Sequence, residues 1–164
     1  MLTVKIEEEF NNQINNELYS SYLYLSMAAY FESTNLQGFA HWMKLQAKEE
    51  AMHAMKFFSY TIERNAKVTL KEVKAPKSSW TSPLEVFQDS YDHEAKITKL
   101  INNLVQIAQE EKDNASLVFL NWFLQEQVQE ESDALKILEQ LKMIKDNGGA
   151  LFVLDKELAQ RKEA

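Results

Sequence analysis

The sequence contains no cysteine, and it has only 3 glycines and 2 prolines among its 164 residues. The lack of cysteine excludes disulfide bonds, thiolate metal sites and cysteine nucleophiles. Glycine and proline are the residues that most often interrupt regular structure, so their scarcity predicts long helices without breaks. A chain of this length can fold as one domain, which we expect to span residues 1–164, around a substantial hydrophobic core.

Long apolar runs and an excess of positive charge are also missing. The longest mostly apolar run, Tyr22 to Phe31, is much shorter than the roughly 20 residues that cross a bilayer. The amino terminus lacks the basic start and apolar stretch of a signal peptide, so we expect a cytoplasmic protein with no membrane partner. The net charge is −7, and we expect no nucleic-acid partner because phosphate binding requires a basic surface.

Four long segments carry apolar residues in alternating steps of three and four, the spacing of a helix face that packs into a core. Local signals predict where these helices begin and end. Thr34 and Gln37 have the spacing of a capping box, Ser82 before a proline can begin the third helix, and Asp113 can cap the fourth. The pair Gly148-Gly149 can end the fourth helix. These signals predict four helices, at about Val4 to Ser33, Asn35 to Asn65, Pro83 to Lys112 and Asp113 to the glycine pair.

The segment at residues 66–81 loses the helical period and includes Pro76. A helix of about 30 residues is about 45 Å long, and 16 extended residues span about 53 Å. This loop can therefore run the length of the helices, so that the second and third helices are parallel, whereas the short first link makes its neighbours antiparallel. The predicted fold is an all-α four-helix bundle over residues 4–147, with one long crossover loop and a short fifth helix over residues 150–161.

Each long helix interrupts its own apolar face near the middle. An unpaired buried charge costs several kcal/mol, and four carboxylates in one dry layer repel each other. Divalent cations remove this repulsion, and oxygen ligands with one imidazole suit Fe(II) or Mn(II) better than structural zinc. The sequence therefore predicts a site for two metal ions at one level of the bundle. Its candidate ligands are Glu17 in the first helix, Glu50 and His53 in the second, Glu94 in the third, and Gln127 and Glu130 in the fourth.

Several stretches together carry a resemblance to a known family: Glu17–Tyr24, Phe39–Met43, Glu49-Glu50 with His53-Ala54, and Asn121–Phe123 leading to Glu126-Gln127 and Glu130-Glu131. Over nearly its whole length the chain resembles the prokaryotic non-haem ferritins, which belong to the ferritin-like di-iron family. The resemblance implies an iron storage protein with ferroxidase activity. Such a protein oxidises Fe(II) to Fe(III) with O2 or H2O2 at a di-iron centre in each subunit, and stores ferric mineral inside a homo-oligomeric cage of 24 subunits.

The resemblance also implies a role for each residue of the centre. Tyr24 resembles the tyrosine that lies next to the irons in this family and can supply an electron. The implied iron ligands are Glu17 and His53 for the first iron, Glu50 as the bridge, and Glu94 and Glu130 for the second iron, with Gln127 beside the second iron.

Two further positions, Glu49 and Glu126, match a third iron site on the inner side of such centres. The family usually has another acid where this chain has Gln129, so the third site is either weaker here or completed by Glu130 alone. Haem is not expected, because haem-binding relatives carry two Glu-x-x-His motifs and a methionine directly after the second-helix glutamate, where this chain has Ala51.

Two alternatives remain open from the sequence. One is a small di-iron oxidase or peroxidase of the same fold that stores nothing. The other is a metal-free interaction bundle whose interior acids are solvated or paired with lysines. Other residues with possible redox or ligand chemistry are expected to have structural roles. We expect Trp122 and the six methionines to lie in the core, and His41 and His93 to be structural or solvated.

Overall fold

The computed structural model describes residues 1–163, and no strand occurs among them. It contains five helices, α1 (Val4–Ser33), α2 (Gln37–Glu63), α3 (Pro83–Glu110), α4 (Asn114–Ile144) and α5 (Gly148–Leu158). The predicted all-α fold, with four long helices and a short C-terminal one, is therefore confirmed. In the part of the chain that is described, no helix has both the length and the apolar character needed to pass through a bilayer.

Aromatic contacts between the helices give their directions. Phe31 at the end of α1 stacks on Phe39 at the start of α2, with ring centroids 4.9 Å apart. Phe10 near the start of α1 contacts Phe57 near the end of α2, at 5.3 Å. Phe39 also contacts Phe87 near the start of α3, at 5.9 Å. Thus α1 and α2 are antiparallel and α2 and α3 are parallel, as the loop lengths predicted.

The connection between α2 and α3 follows α1 along the outside of the bundle. Near the start of α1, the Asn11 side-chain amide donates to the Lys67 carbonyl at 2.9 Å. Near the end of α1, the Ser26 hydroxyl donates to the Lys77 carbonyl at 2.7 Å. These contacts at two distant points of α1 confirm that the loop crosses over along the bundle, and buried Trp80 packs at its far end.

The start of α2 differs from the prediction. Thr34 donates its hydroxyl to the last turn of α1 and forms no capping box with Gln37. The cap comes instead from α5, where Asp155 Oδ1 accepts from the backbone N–H groups of Gly38 and Phe39 at 2.8 and 3.0 Å. The capping-box prediction was wrong because a buried carboxylate distant in sequence supplies the acceptor.

The end of α4 also differs from the prediction. The helix ends at Ile144, and the next residue, Lys145, has a positive φ of 51°. Gly148 and Gly149 lie in the first turn of α5, which is capped by the side chain of Asn147. The glycine pair therefore does not end α4, and no glycine among the described residues has a positive φ.

Buried apolar side chains form two separate clusters. The first apolar cluster joins the end of α1, the starts of α2 and α3, the end of α4, and α5, and it includes Phe31, Phe39, Phe87, Leu138 and Leu154. The second apolar cluster joins the opposite ends of the four long helices and includes Ile6, Phe10, Phe57, Ile101 and Phe123. On every long helix, the predicted polar interruption falls between the residues of the two clusters.

Candidate metal centre

The predicted acids and histidine meet in the layer between the two apolar clusters, and the acids of the four helices are all nearly inaccessible. Their potential ligand atoms form groups in which all atoms lie within 4.8 Å of one another. Glu50 belongs to two of these groups, so a single carboxylate is available to two neighbouring cation positions. The groups are Glu17, Glu50 and His53; Glu50, Glu94 and Glu130; and His53, Glu126 and Glu130.

Three glutamine side chains each hold one acid of this centre. Each donates its amide N–H to one carboxylate oxygen, which fixes the orientation of that acid. The pairs are Gln13 with Glu17 at 2.7 Å, Gln127 with Glu94 at 3.2 Å, and Gln46 with Glu130. These contacts place Gln127 beside the acids, as predicted, and add Gln13 and Gln46 as supporting residues.

One oxygen of the centre has no partner. Among the described residues, Glu17 Oε2 is the buried side-chain polar atom that makes no hydrogen bond. Buried polar atoms are nearly always satisfied, so an unpaired one needs an explanation. A cation at the group formed with Glu50 and His53 would satisfy it, and this set of hard oxygens with one imidazole fits iron.

The electrostatics of the centre also indicate a missing positive charge. Burial raises the pKa of Glu94 to about 7 and raises the pKa of Glu17. Burial, followed by repulsion from neighbouring carboxylates, raises the pKa values of Glu50 and Glu130 well above the usual range. Without metal, burial thus favours the protonated form of these acids, and cations that bind here would displace protons.

Tyr24 is buried against the acid from α3. Its hydroxyl donates to Glu94 Oε1 and lies 3.1 Å from the Ser90 hydroxyl. Burial and the charge of Glu94 raise the pKa of Tyr24 well above its usual value, so the phenol stays protonated. The structure thus places Tyr24 in direct contact with a candidate ligand.

The resemblance matched Glu49 and Glu126 to a third metal site and placed Gln129 where the family usually has an acid, and these three positions are not equivalent. Glu126 faces the centre and belongs to the third ligand group. Glu49 instead pairs with the guanidinium of Arg161. Gln129 is exposed and donates to Asp133 Oδ1 at 2.8 Å. Only one of these three side chains therefore reaches the other candidate ligands.

The histidines and the tryptophan that were predicted to be structural differ in how far they are buried. Buried His93 hydrogen-bonds to the Ser20 hydroxyl at 2.7 Å, and His41 to the Arg161 carbonyl at 2.8 Å, so both histidines make structural contacts. Trp122 was predicted in the core but is 37% exposed, because its indole covers the outer side of His53 with ring centroids 5.3 Å apart.

The methionines were predicted to fill gaps in the core, and this is correct for Met27 and Met43 only. The other four are exposed on this chain because they lie at the terminus or on the outward faces of α2 and α4. They are Met1, Met52, Met55 and Met143.

Some supporting residues were missed at the sequence level. Gln46 carries a usable signal, because it occupies a core position of the α2 apolar face one turn before Glu50. Gln13 carries the same signal, because it lies three residues after Phe10 and four before Glu17 and is buried with the apolar face of α1. Arg161 follows the last helix and has no periodic signal at all.

A four-helix bundle with one crossover and a buried carboxylate–imidazole cluster defines a class of metal-binding helical proteins. The sequence profile of the ferritin-like domain matches residues 7–144. The chain is 42% identical over 161 residues to the bacterial non-heme ferritin of Bacteroides fragilis, covering 98% of this chain and 100% of the relative. It is 40% identical to that of Staphylococcus aureus, with coverages of 98% and 97%.

Solved structures agree with this. An open-pore ferritin from the archaeon Archaeoglobus fulgidus superposes with a TM-score of 0.98 at 49% identity, covering 99% of this chain and 100% of that one. An engineered closed form of the same ferritin gives 0.98 at 49% identity and covers 100% of both chains. The chain therefore belongs to the ferritin-like domain family, and the resemblance to non-haem ferritins inferred from the sequence is confirmed.

Proposed function

We propose that this protein is an iron-storage ferritin that oxidises Fe(II) at a centre within each subunit. The observation that carries the proposal is that Glu50 lies in two ligand groups at once, beside an unpaired buried oxygen of Glu17. This arrangement offers two adjacent cation positions in a layer where the acids of all four helices meet.

The proposed ligand roles follow the two groups. Iron is the substrate of this reaction and becomes the stored cargo. Gln127 lies beside the second position through its contact with Glu94, and Glu126 extends the ligand set toward His53 and Glu130. We assign Glu17 and His53 to the first Fe(II), Glu50 to the bridge, and Glu94 and Glu130 to the second Fe(II).

The chemistry requires two electrons at one place. Two Fe(II) ions held together lose one electron each, and the oxidant takes both: O2 with two protons gives H2O2, or H2O2 with two protons gives water. The carboxylates favour the Fe(III) product because hard oxygen anions stabilise the higher charge. Loss of carboxyl protons on metal binding keeps the buried layer close to neutral.

We assign Tyr24 as the residue that can supply one of the two electrons to the oxidant in place of an iron. The phenol then becomes a tyrosyl radical and its proton passes to Glu94, which its hydroxyl contacts directly. The Tyr24→Phe variant retains the ring that fills the core and removes only the hydroxyl. We expect this variant to bind Fe(II) as the unaltered chain does and to lose the tyrosyl radical signal in electron paramagnetic resonance after Fe(II) oxidation. A radical signal of equal size in this variant contradicts the assignment.

Storage requires an assembly with an interior. Relatives at 40 to 42% identity across nearly the whole chain are named ferritins, which supports storage here. We propose that the 164 residues form one domain, that 24 copies assemble into a hollow cage, and that the cage works in the cytoplasm. Ferric iron formed at the centre then moves inward to form mineral.

The test is aerobic addition of Fe(II) to the purified protein, followed by measurement of particle size and of the iron retained per particle. We expect a large particle that retains many more iron atoms than the centres can hold. Glu50→Gln should slow oxidation by at least tenfold, whereas Glu63→Gln, an exposed acid on the same helix, should leave the rate unchanged.

Two results contradict this proposal. A small particle that oxidises Fe(II) but releases all of it is a non-storing oxidase or peroxidase. Absence of tight anaerobic Fe(II) binding, or equal binding in the unaltered chain and in Glu50→Gln, indicates a metal-free bundle.

A further inference from the structure

Helix α5 and the segment that follows it are held along α2 by contacts at several points. Asp155 caps the start of α2, and the Arg161 carbonyl hydrogen-bonds to His41 at 2.8 Å. The Arg161 guanidinium lies over the Trp42 ring, 4.4 Å from its centroid. The Arg161 side chain is 20% exposed, so the end of the chain carries a mostly buried positive charge to the middle of α2.

The guanidinium binds two side chains one turn apart on α2. Its Nη2 pairs with Glu49 Oε2, and its Nη1 donates to Gln46 Oε1 at 2.9 Å. Arginine is suited to such a contact, because its planar group presents donors in a fixed fork and stays charged at every physiological pH. Glu49 thus already has a full positive charge as its partner.

Arg161 also determines which way the Gln46 amide points. A guanidinium only donates hydrogen bonds, so the Gln46 oxygen must face it and the Gln46 nitrogen must face away. That nitrogen donates to Glu130 Oε2 and lies 3.4 Å from Glu50 Oε1. The C-terminal arginine is therefore connected to the metal centre through one intervening amide.

We propose that Arg161 is a positioning residue that withholds Glu49 from the metal centre. A third ion would then have Glu126 as its only ligand that is not already assigned to the first two ions, so each centre binds two ions tightly. This inference rests on the proposed ferroxidase function. The guanidinium stays charged and is already paired with Glu49. A metal ion could bind Glu49 only by displacing Arg161, which would leave the mostly buried guanidinium without its partner. Exposed Gln129 offers no replacement carboxylate on α4.

The test counts Fe(II) bound tightly and anaerobically by the assembled protein, with no oxidant present. We expect Glu49→Gln to bind as many ions per subunit as the unaltered chain, because Glu49 is not a ligand. Arg161→Gln should bind one ion more per subunit, because Glu49 loses its fixed positive partner and becomes free to act as a ligand. Adding Glu49→Gln to Arg161→Gln should remove the extra ion, and Arg161→Lys should not gain it because the charge remains.

A matched control separates this effect from general loss of an ion pair. Arg64 pairs with Asp113 at 2.8 Å, its side chain is also 20% exposed, and it also lies against an aromatic ring. It joins the end of α2 to the start of α4, so Arg64→Gln should lower thermal stability without changing the number of ions bound.

The proposal is overturned if the unaltered chain loses an ion on Glu49→Gln, or if Arg161→Gln binds no additional ion. It is also overturned if the extra ion survives in the double variant. Failure of the proposed function gives a different result, since no variant would then bind Fe(II) tightly and Glu50→Gln would have no effect.

Discussion

Single acids of the centre oppose folding of the metal-free protein, and Glu94 shows the effect most clearly. Its usual pKa is 4.5, and burial raises the pKa to about 7 in the folded chain. Between these values the folded state holds a proton that the unfolded state has lost. Stability therefore falls as the pH rises through this window, by on the order of 3 kcal/mol for this residue.

We expect the melting temperature of the metal-free protein to fall between pH 5 and pH 7.5. The raised pKa values of Glu50 and Glu130 act in the same direction. Glu94→Gln should reduce the fall, whereas Glu8→Gln, at an exposed position of α1, should not. A melting temperature that rises over this range in both the unaltered chain and Glu94→Gln contradicts this explanation.

Residues of the centre were predictable to different degrees. Glu17, Glu50, His53, Glu94 and Glu130 interrupt apolar faces, and a periodic pattern exposes any polar residue at a core position. The ion pair between Arg161 and Glu49 joins residues separated by 112 positions. Nothing local distinguishes that arginine from a solvated one, so its contact with Glu49 and Gln46 required the structure.

Among the helices, α5 depends on a close approach at one glycine. A Cβ at Gly38 would lie 1.6 Å from the Asp155 carbonyl oxygen, so the backbones of α2 and α5 touch here. Gly38→Ala should displace α5 and break both hydrogen bonds to Asp155, lowering stability by about 2 kcal/mol. Denaturant unfolding measures the loss, and hydrogen exchange should show faster exchange in α5.

Gly148 provides the matched control, because a Cβ there meets no heavy atom within 4 Å. Gly148→Ala should be neutral or slightly stabilising, since alanine favours the helix. Equal stability losses in the two variants would show that α5 does not depend on the contact at Gly38.

The residue that follows α3 offers a way to stabilise the protein. Lys112 follows α3 with a φ of 55°, a left-handed conformation that lysine adopts at a cost. Lys112→Gly should raise the free energy of unfolding by about 1 kcal/mol, as measured by denaturant unfolding. Lys99→Gly, at an exposed position inside α3, should lower it by a similar amount, and a stability loss in both variants contradicts the argument.

The helices themselves were easier to predict than their ends. Long apolar periods and a well-placed Ser82 cap fixed α1 and the start of α3, where Ser82 accepts from the Glu85 N–H at 3.2 Å. The ends at Asn35, Asn65, Lys112 and Lys145 all use positive φ without glycine. Asparagine tolerates this conformation and marks a helix end, and the predicted boundaries at Asn35 and Asn65 lie within two residues of those ends. Lysine tolerates it only weakly and gives no such signal.

For the whole molecule, bound metal should act as a large stabilising ligand. A ligand that binds only the folded state, at a thousand times its dissociation constant, adds about 4 kcal/mol. For a chain of this length we expect anaerobic Fe(II) to raise the melting temperature by about 10 °C. Glu50→Gln should remove most of this increase, and an equal increase in both proteins would place the stabilising metal elsewhere.

The division of the apolar side chains into two clusters bears on how the bundle comes apart. Each cluster buries its own aromatic rings, and the layer between them contains acids that repel one another. In the metal-free protein, the two ends of the bundle are coupled mainly by continuous helix backbones, so they can lose their structure at different temperatures. If the proposed function holds, iron bound by the acids of all four helices would tie them together at their midpoints, so bound iron would set whether the subunit melts in one transition or two.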